Sequence, residues 1–264
     1  MIKVIGIPFD NNSTFAKGPA LAPPKIRQMD AGGSANRFSE MGTEIIDGKN
    51  YQDLGDINLD NLDREGVYQK IKTTVLEEIS IKDQLISFGG DHSVSFPLIE
   101  AHTKQYPNLH VLHLDAHADL YEDFEGNPYS HASPFARLME LDILGSLTQV
   151  GIRTLNTHQK DQAVKYKVKV VEMKDFNLDF IAELEGPLYI SLDLDVLDPA
   201  FAPGISHHEP GGLSTRQVIE IIQNINVPVI GADIVELNPK RDLNNMTAMV
   251  AYKLLKELVS KMMD

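Results

Sequence analysis

Short apolar runs alternate along this chain with longer stretches whose apolar positions recur every three or four residues. The runs at 4–7, 85–88, 111–114, 148–150, 168–171, 188–192 and 229–232 predict strands. They are nearly continuous in apolar character, as strands covered on both faces are. The amphipathic stretches predict helices over 24–29, 64–79, 96–105, 134–140, 159–166, 215–223 and 245–262. Ser214, with Gln217 three residues on, has capping-box spacing and marks the start of the 215–223 helix. Strands alternating with helices predict an α/β fold: a doubly wound, mostly parallel sheet with helices on both faces. Residues 31–63 are rich in Gly, Asn and Asp and predict loops over the sheet. No linker composition interrupts 145–156, so residues 1–264 are expected to form a single domain.

Ligands of an open parallel sheet gather outside the carboxyl ends of its strands, and four of the expected strands end in unusual polar residues. The run at 85–88 leads into Gly89-Gly90-Asp91-His92, and that at 111–114 into Asp115-Ala116-His117-Ala118-Asp119. The run at 188–192 leads into Asp193-Leu194-Asp195, and that at 229–232 into Asp233-Ile234-Val235-Glu236. Carboxylates at the ends of buried strands are costly unless cations or hydrogen bonds compensate them. Alternate residues of an extended chain share a face, so Asp115, His117 and Asp119 converge if the extended geometry persists beyond the strand, as do Asp193 and Asp195. Alone, Asp115–Asp119 reads equally as a calcium loop or a solvated turn. With His92, Asp193 and Asp195 it offers four carboxylates and two imidazoles, too many for one tetrahedral zinc. The set suits two divalent ions sharing carboxylates, and oxygen-rich ligation without sulfur favours manganese.

Composition narrows the field further. The 264 residues carry 24 Lys and Arg against 38 Asp and Glu, a formal charge of −14. No basic patch stands out, which argues against nucleic acid and anionic membranes as partners. The absence of cysteine excludes disulfides, thiolate metal sites and a cysteine nucleophile. No apolar run approaches the roughly 18 residues of a membrane span. The N-terminus reads as a first strand rather than a secretory leader, and a cytoplasmic protein is the resulting expectation.

Three segments, Gly89-Gly90-Asp91-His92-Ser93, Asp115-Ala116-His117-Ala118-Asp119 and Ser191 to Pro199 with its continuation Ala200-Phe201-Ala202-Pro203-Gly204, together resemble the three signatures of the ureohydrolase (arginase/agmatinase) family. The likeness spans nearly the whole chain. Gly126 to Ser133 and Ser206 to Leu213 are similar to the plant-type arginases in particular. The resemblance implies a sheet of about eight strands, assembly as a trimer or hexamer, and two Mn2+ ions per subunit. His92, Asp115, Asp119 and Asp193 would hold one ion; Asp115, His117, Asp193 and Asp195 the other. His131 would pass a proton to the leaving amine and Glu236 would grip a guanidinium. With Asp119 these are the implied catalytic residues. By themselves, His131 reads as a locally bonded loop histidine and Glu236 as a strand-end ion pair.

The chemistry of such a substrate agrees with this set. A guanidinium is a poor electrophile, and its hydrolysis needs a strong nucleophile, a carboxylate to position the cation and an acid for the departing amine. Arginine is the expected substrate and agmatine the alternative, followed by guanidinobutyrate and formiminoglutamate. Gly151-Ile152-Arg153-Thr154 lacks the aspartate that follows this segment in animal-type arginases, while Asn127 and Ser130 could bond an α-carboxylate. Two other classes compete: a non-catalytic metal-binding regulator, which would have no need of His131, and a one-metal zinc deacetylase, against which six ligands argue.

Overall fold

The computed structural model describes residues 1–33, 35–80 and 83–264. Eight strands form one sheet: β1 (Ile2–Gly6), β2 (Tyr51–Asp56), β3 (Gln84–Phe88), β4 (Leu109–Leu114), β5 (Leu144–Ile152), β6 (Lys169–Glu172), β7 (Leu188–Asp193) and β8 (Val229–Val235). Their order is β2-β1-β3-β8-β7-β4-β5-β6, and every pairing is parallel. Seven helices cover it: α1 (Ala22–Ala31), α2 (Arg64–Glu78), α3 (Ser95–Gln105), α4 (Pro134–Glu140), α5 (Thr157–Lys165), α6 (Thr215–Asn224) and α7 (Met246–Met263). None of the helices is long and apolar enough to cross a membrane among the described residues.

The period-2 alternation of buried strands sorts their side chains into two cores. Ile86, Phe88, Leu112, Leu114, Ile190 and Leu192 meet α1, α6 and α7 on one face. Leu85, Val111 and Tyr189 meet α2, α3, α4 and α5 on the other. This is the doubly wound arrangement that the strand–helix alternation predicts.

The 31–63 segment is the exception: it contributes β2, which pairs only with β1. Tyr51-Gln52-Asp53-Leu54-Gly55-Asp56 has no apolar run because an edge strand is half open to water. Its acids Asp53 and Asp56 are taken up by Arg27 of α1.

The middle of the sheet is β3-β8-β7-β4, so the four polar strand ends lie side by side at one edge.

Candidate metal centre

The strand ends turn sharply rather than staying extended. After β4 the chain bends at Ala116 and His117, and Asp119 has φ +50°. Asp115 fixes the bend by accepting the His117 N–H on Oδ1 at 2.5 Å. Asp193 does the same two residues on, accepting Asp195 N–H at 2.7 Å at the head of a short 3-10 turn. The expected persistence of extended geometry past the strands is therefore corrected. Local side-chain-to-backbone turns bring Asp115, His117 and Asp119 together, as aspartate favours. At the third strand end Gly90 is obligatory, since a Cβ there would lie 1.8 Å from the Phe9 carbonyl oxygen. Asp91 caps the next turn through Ser93 N–H and holds Asn12 N–H and Ser13 Oγ.

All six expected ligands meet at one place. His92 Nδ1 lies 3.0 Å from Asp115 Oδ2, 3.1 Å from Asp193 Oδ2 and 3.2 Å from Asp119 Oδ2. His117 Nδ1 lies 2.8 Å from Asp195 Oδ2 and 3.4 Å from Asp115 Oδ1. Asp115 thus faces one cluster with each carboxylate oxygen, and among the described residues it belongs to both groups of side chains compact enough to hold an ion.

The ring nitrogens show what the clusters are built for. His92 Nε2 lies 3.0 Å from Ser191 Oγ, whose hydroxyl donates to Asp233 Oδ1 at 2.8 Å. Tyr189 donates to Asp233 Oδ2 at 2.9 Å. With its proton spent on Asp233, Ser191 accepts from His92 Nε2–H, which leaves a lone pair on Nδ1. Nδ1 is buried and makes no hydrogen bond. Nδ1 faces three carboxylate oxygens at 3.0–3.2 Å, contacts that either a proton on the ring or a metal cation between them would satisfy, and fixing the tautomer from behind is how metal-ligating histidines are held. His113 plays a matching part beneath Asp115. Gln149 Nε2 donates to its Nδ1 at 3.0 Å, so its Nε2–H donates to Asp115 Oδ2 at 2.7 Å, while its ring stacks on Phe135.

The electrostatics point the same way. Burial, then Asp195 and Asp115, drives the Asp193 carboxyl well above the usual carboxylate range. Burial and then Asp115 push Asp195 up to about 6. Burial acts upward on Asp115 too, but His113, His117 and His92 hold it well below the usual range. Asp115, Asp193 and Asp195, buried side by side, cannot all ionise together without compensating positive charge.

A second pair completes the floor of the cavity. His131 Nδ1 lies 2.8 Å from Glu236 Oε1, an oxygen that also accepts the His92 backbone N–H at 3.0 Å. Glu236 Oε2 is buried without a partner, and Glu236 has φ +65°, uncommon outside glycine and frequent at functional sites. Thr14 N–H reaches His131 Nε2 at 3.1 Å and Thr14 Oγ1 lies 2.9 Å from it. Although burial disfavours its charged form, Glu236 raises His131 to about 9. Thr14 accommodates both states: its N–H donates to the neutral ring and its hydroxyl oxygen can accept from the charged one.

His92, His117, Asp119, Asp193, Asp195, His131 and Glu236 line a single cavity, together with Thr14, Tyr121, Phe124, Thr154, Gln159, His207 and Glu209. Asp115 lies beneath, fully buried. The structure does not bring Asn127 and Ser130 to this cavity. Asn127 Oδ1 accepts Tyr129 N–H and Ser130 Oγ accepts Ala132 N–H, both within the loop that carries His131. Sequence reasoning missed Thr14 and Glu209. The polar His207-His208-Glu209 segment closely following the Asp193–Asp195 strand end was the available signal for the second; nothing local marks the first.

The Arginase family model matches residues 1–260. Arginase 1, mitochondrial, of Arabidopsis thaliana is 43% identical over 274 residues, covering 98% of this chain and 80% of that protein. Agmatinase of Bacillus anthracis is 31% identical over 267 residues, covering 98% and 90%. The solved structure of arginase from Medicago truncatula superposes with a TM-score of 0.92 at 38% identity, covering 99% of this chain and 87% of that one. Agmatine ureohydrolase of Thermoplasma volcanium gives 0.88 at 30% identity, covering 99% and 89%.

The plant relatives from Arabidopsis, rice and Medicago are named mitochondrial or chloroplastic/mitochondrial, which overturns the expectation of a cytoplasmic protein. The features behind that expectation, no cysteine and no long apolar run, do not separate the cytoplasm from the interior of an organelle. Sequence, fold and the convergence of the three motifs agree: the chain belongs to the arginase family.

Proposed function

We propose that this protein hydrolyses the guanidino group of arginine, giving ornithine and urea. It is a metal-dependent hydrolase. The observation that carries the reading is Asp115, whose two oxygens face the His92 and His117 clusters separately. His92, Asp115, Asp119 and Asp193 are read as holding one divalent ion, and Asp115, His117, Asp193 and Asp195 the other. Ligands of oxygen and nitrogen alone favour Mn2+. Bound there, two ions would lower the pKa of water and so make a nucleophile available near neutral pH.

The remaining work falls to the chain. Glu236 Oε2, buried and unpartnered, accepts N–H groups of the guanidinium and orients its carbon toward the centre. His131, held by Glu236 and Thr14, gives its proton to the departing amine nitrogen as the C–N bond breaks, leaving urea and the free amine. Asp119, on the His92 side, would complete the ligand set of the ion held there.

Agmatine is the second reading, favoured by one observation. Among the described residues no Lys or Arg lines the cavity, so a carboxylate on the substrate meets no lysine or arginine partner there. Residues 1–264 act as one domain in this proposal, since one sheet carries every site residue. We also propose that the chain is a homo-oligomer, trimer or hexamer. Phe201 and Met246, 44% and 47% exposed, border an apolar groove suited to a second copy; light scattering in solution measures the state. Activity is tested by urea release from arginine, agmatine and guanidinobutyrate with and without Mn2+. Mn2+-dependent urea from arginine is expected, and none from any of the three with metal bound would overturn the reading.

A further inference from the structure

Of the carboxylates lining the cavity, Asp119, Asp193, Asp195 and Glu236 are engaged by the histidines. Glu209 is not. Among the described residues its carboxylate has neither a hydrogen-bond nor an ion-pair partner, while its main chain is firmly held. Arg153 Nε and Nη2 donate to the Glu209 carbonyl at 2.9 and 2.6 Å. The same Nη2 donates to the Asp195 carbonyl at 2.7 Å, and Nη1 to the Gly151 carbonyl at 3.0 Å. The arginine fork is thus spent on carbonyls, tying the Glu209 loop to the turn that carries Asp195. Beyond Glu209, Pro210 restricts the backbone, and Gly211 N–H is held by Asp198 Oδ2 at 2.7 Å.

A fixed backbone presenting an unspent carboxylate to a cavity is a preorganised cation acceptor. Its place is distinct from that of Glu236. Glu236 ends β8 and contacts His92 and His131, whereas Glu209 is anchored on the β7 and β5 side, beside Asp195. Glu236 is 4% exposed and Glu209 stands nearer the mouth. A substrate with its guanidinium on Glu236 has its other end free to approach the mouth.

We propose that Glu209 binds an ammonium group at the far end of the substrate and selects guanidino compounds that carry one. The inference rests on the hydrolase reading above and narrows it. Arginine and agmatine both bear that ammonium; guanidinobutyrate, ending in a carboxylate, would face Glu209 with like charge.

The test is urea release by the Mn2+-loaded protein from agmatine, arginine, n-butylguanidine (no distal charge) and guanidinobutyrate. For the wild type, kcat/KM for agmatine should exceed that for n-butylguanidine by about tenfold, the worth of one charge-assisted hydrogen bond. Glu209→Gln should raise KM for agmatine and arginine about tenfold with kcat little changed, as loss of uniform binding does. It should leave n-butylguanidine unaffected, and Glu209→Asp should recover part of the loss. A wild type that hydrolyses n-butylguanidine as efficiently as agmatine overturns the inference without needing any variant, and so does a Glu209→Gln variant in which all four substrates change equally or none changes. Wild type that releases urea from none of them refutes the hydrolase reading instead.

Discussion

Asp115 and His131 sit in one site but serve it differently. Asp115 belongs to both ion-sized clusters, so Asp115→Asn weakens both at once. His131 touches neither and bonds Glu236 and Thr14. Asp115→Asn is expected to lower kcat by more than about a thousandfold and to reduce bound metal, measured by inductively coupled plasma mass spectrometry. His131→Asn should keep its metal and lose about a hundredfold, within the range of a general acid. Equal residual rates at full occupancy in both variants would contradict this.

His131 also makes a stability prediction. Its folded value is raised to about 9, burial opposing and Glu236, Asp91 and Asp119 favouring the charged ring; unfolded, it titrates near 6.5. A raised folded pKa stabilises fully below the unfolded value and is lost as pH rises through the folded one. The stability gap between wild type and His131→Asn, from urea unfolding at constant metal content, should therefore shrink between pH 6.5 and 9. A gap independent of pH would mean that the Glu236 pairing is not the source. The six expected ligands, which the fold gathers in one place, could be singled out in the sequence because each stands in a short local motif at a strand end, whereas His131 and Glu236 stood out only through the family resemblance. Thr14 is not legible, because a loop remote in the chain delivers it and only tertiary packing decides where that loop lies; Glu209 follows the Asp193–Asp195 strand end, but nothing local says that its side chain rather than that of His207 or His208 faces the cavity.

At the scale of the element, local chemistry that can be written in four residues survives folding intact. Ser214 Oγ accepts Gln217 N–H and the Gln217 side chain accepts Ser214 N–H, the capping box that the spacing predicts. Ser214→Ala should cost about 1 kcal/mol in urea unfolding with unchanged kcat, since α6 packs on the face away from α3 and α4. A loss of activity larger than the loss of stability would show that α6 is coupled to the site. The seven strands with apolar runs were legible for the same local reason, and β2 was not, because an edge strand pairs once and needs no such run. The Asp115 turn shows the opposite limit. Alternation named the right residues, yet a side-chain-capped bend, not an extended chain, brings them together, and that bend depends on Asp195 accepting Ala116 N–H from a different strand end.

Over the whole molecule, one edge of the sheet concentrates negative charge that the rest of the fold does not offset. Asp115, Asp193 and Asp195 are each at most 3% exposed, with Asp119 and Glu236 close behind. Their hydrogen bonds come from histidines and backbone N–H groups rather than from any Lys or Arg. The folded chain thus carries an electrostatic penalty that bound divalent cations would relieve, so binding is linked to stability. At a free metal concentration a hundred times the dissociation constant, one site contributes about 2.7 kcal/mol. In a chain of 264 residues that is roughly 5 °C in Tm. Protein stripped with a chelator and dialysed is expected to melt lower by at least this amount. Titration with Mn2+ should restore Tm and saturate at two ions per chain by calorimetry, while Asp115→Asn should lose most of the rise. A melting temperature indifferent to Mn2+, or saturation at one ion, would mean that the carboxylates find their compensation within the protein and that the two-cluster reading of Asp115 is wrong.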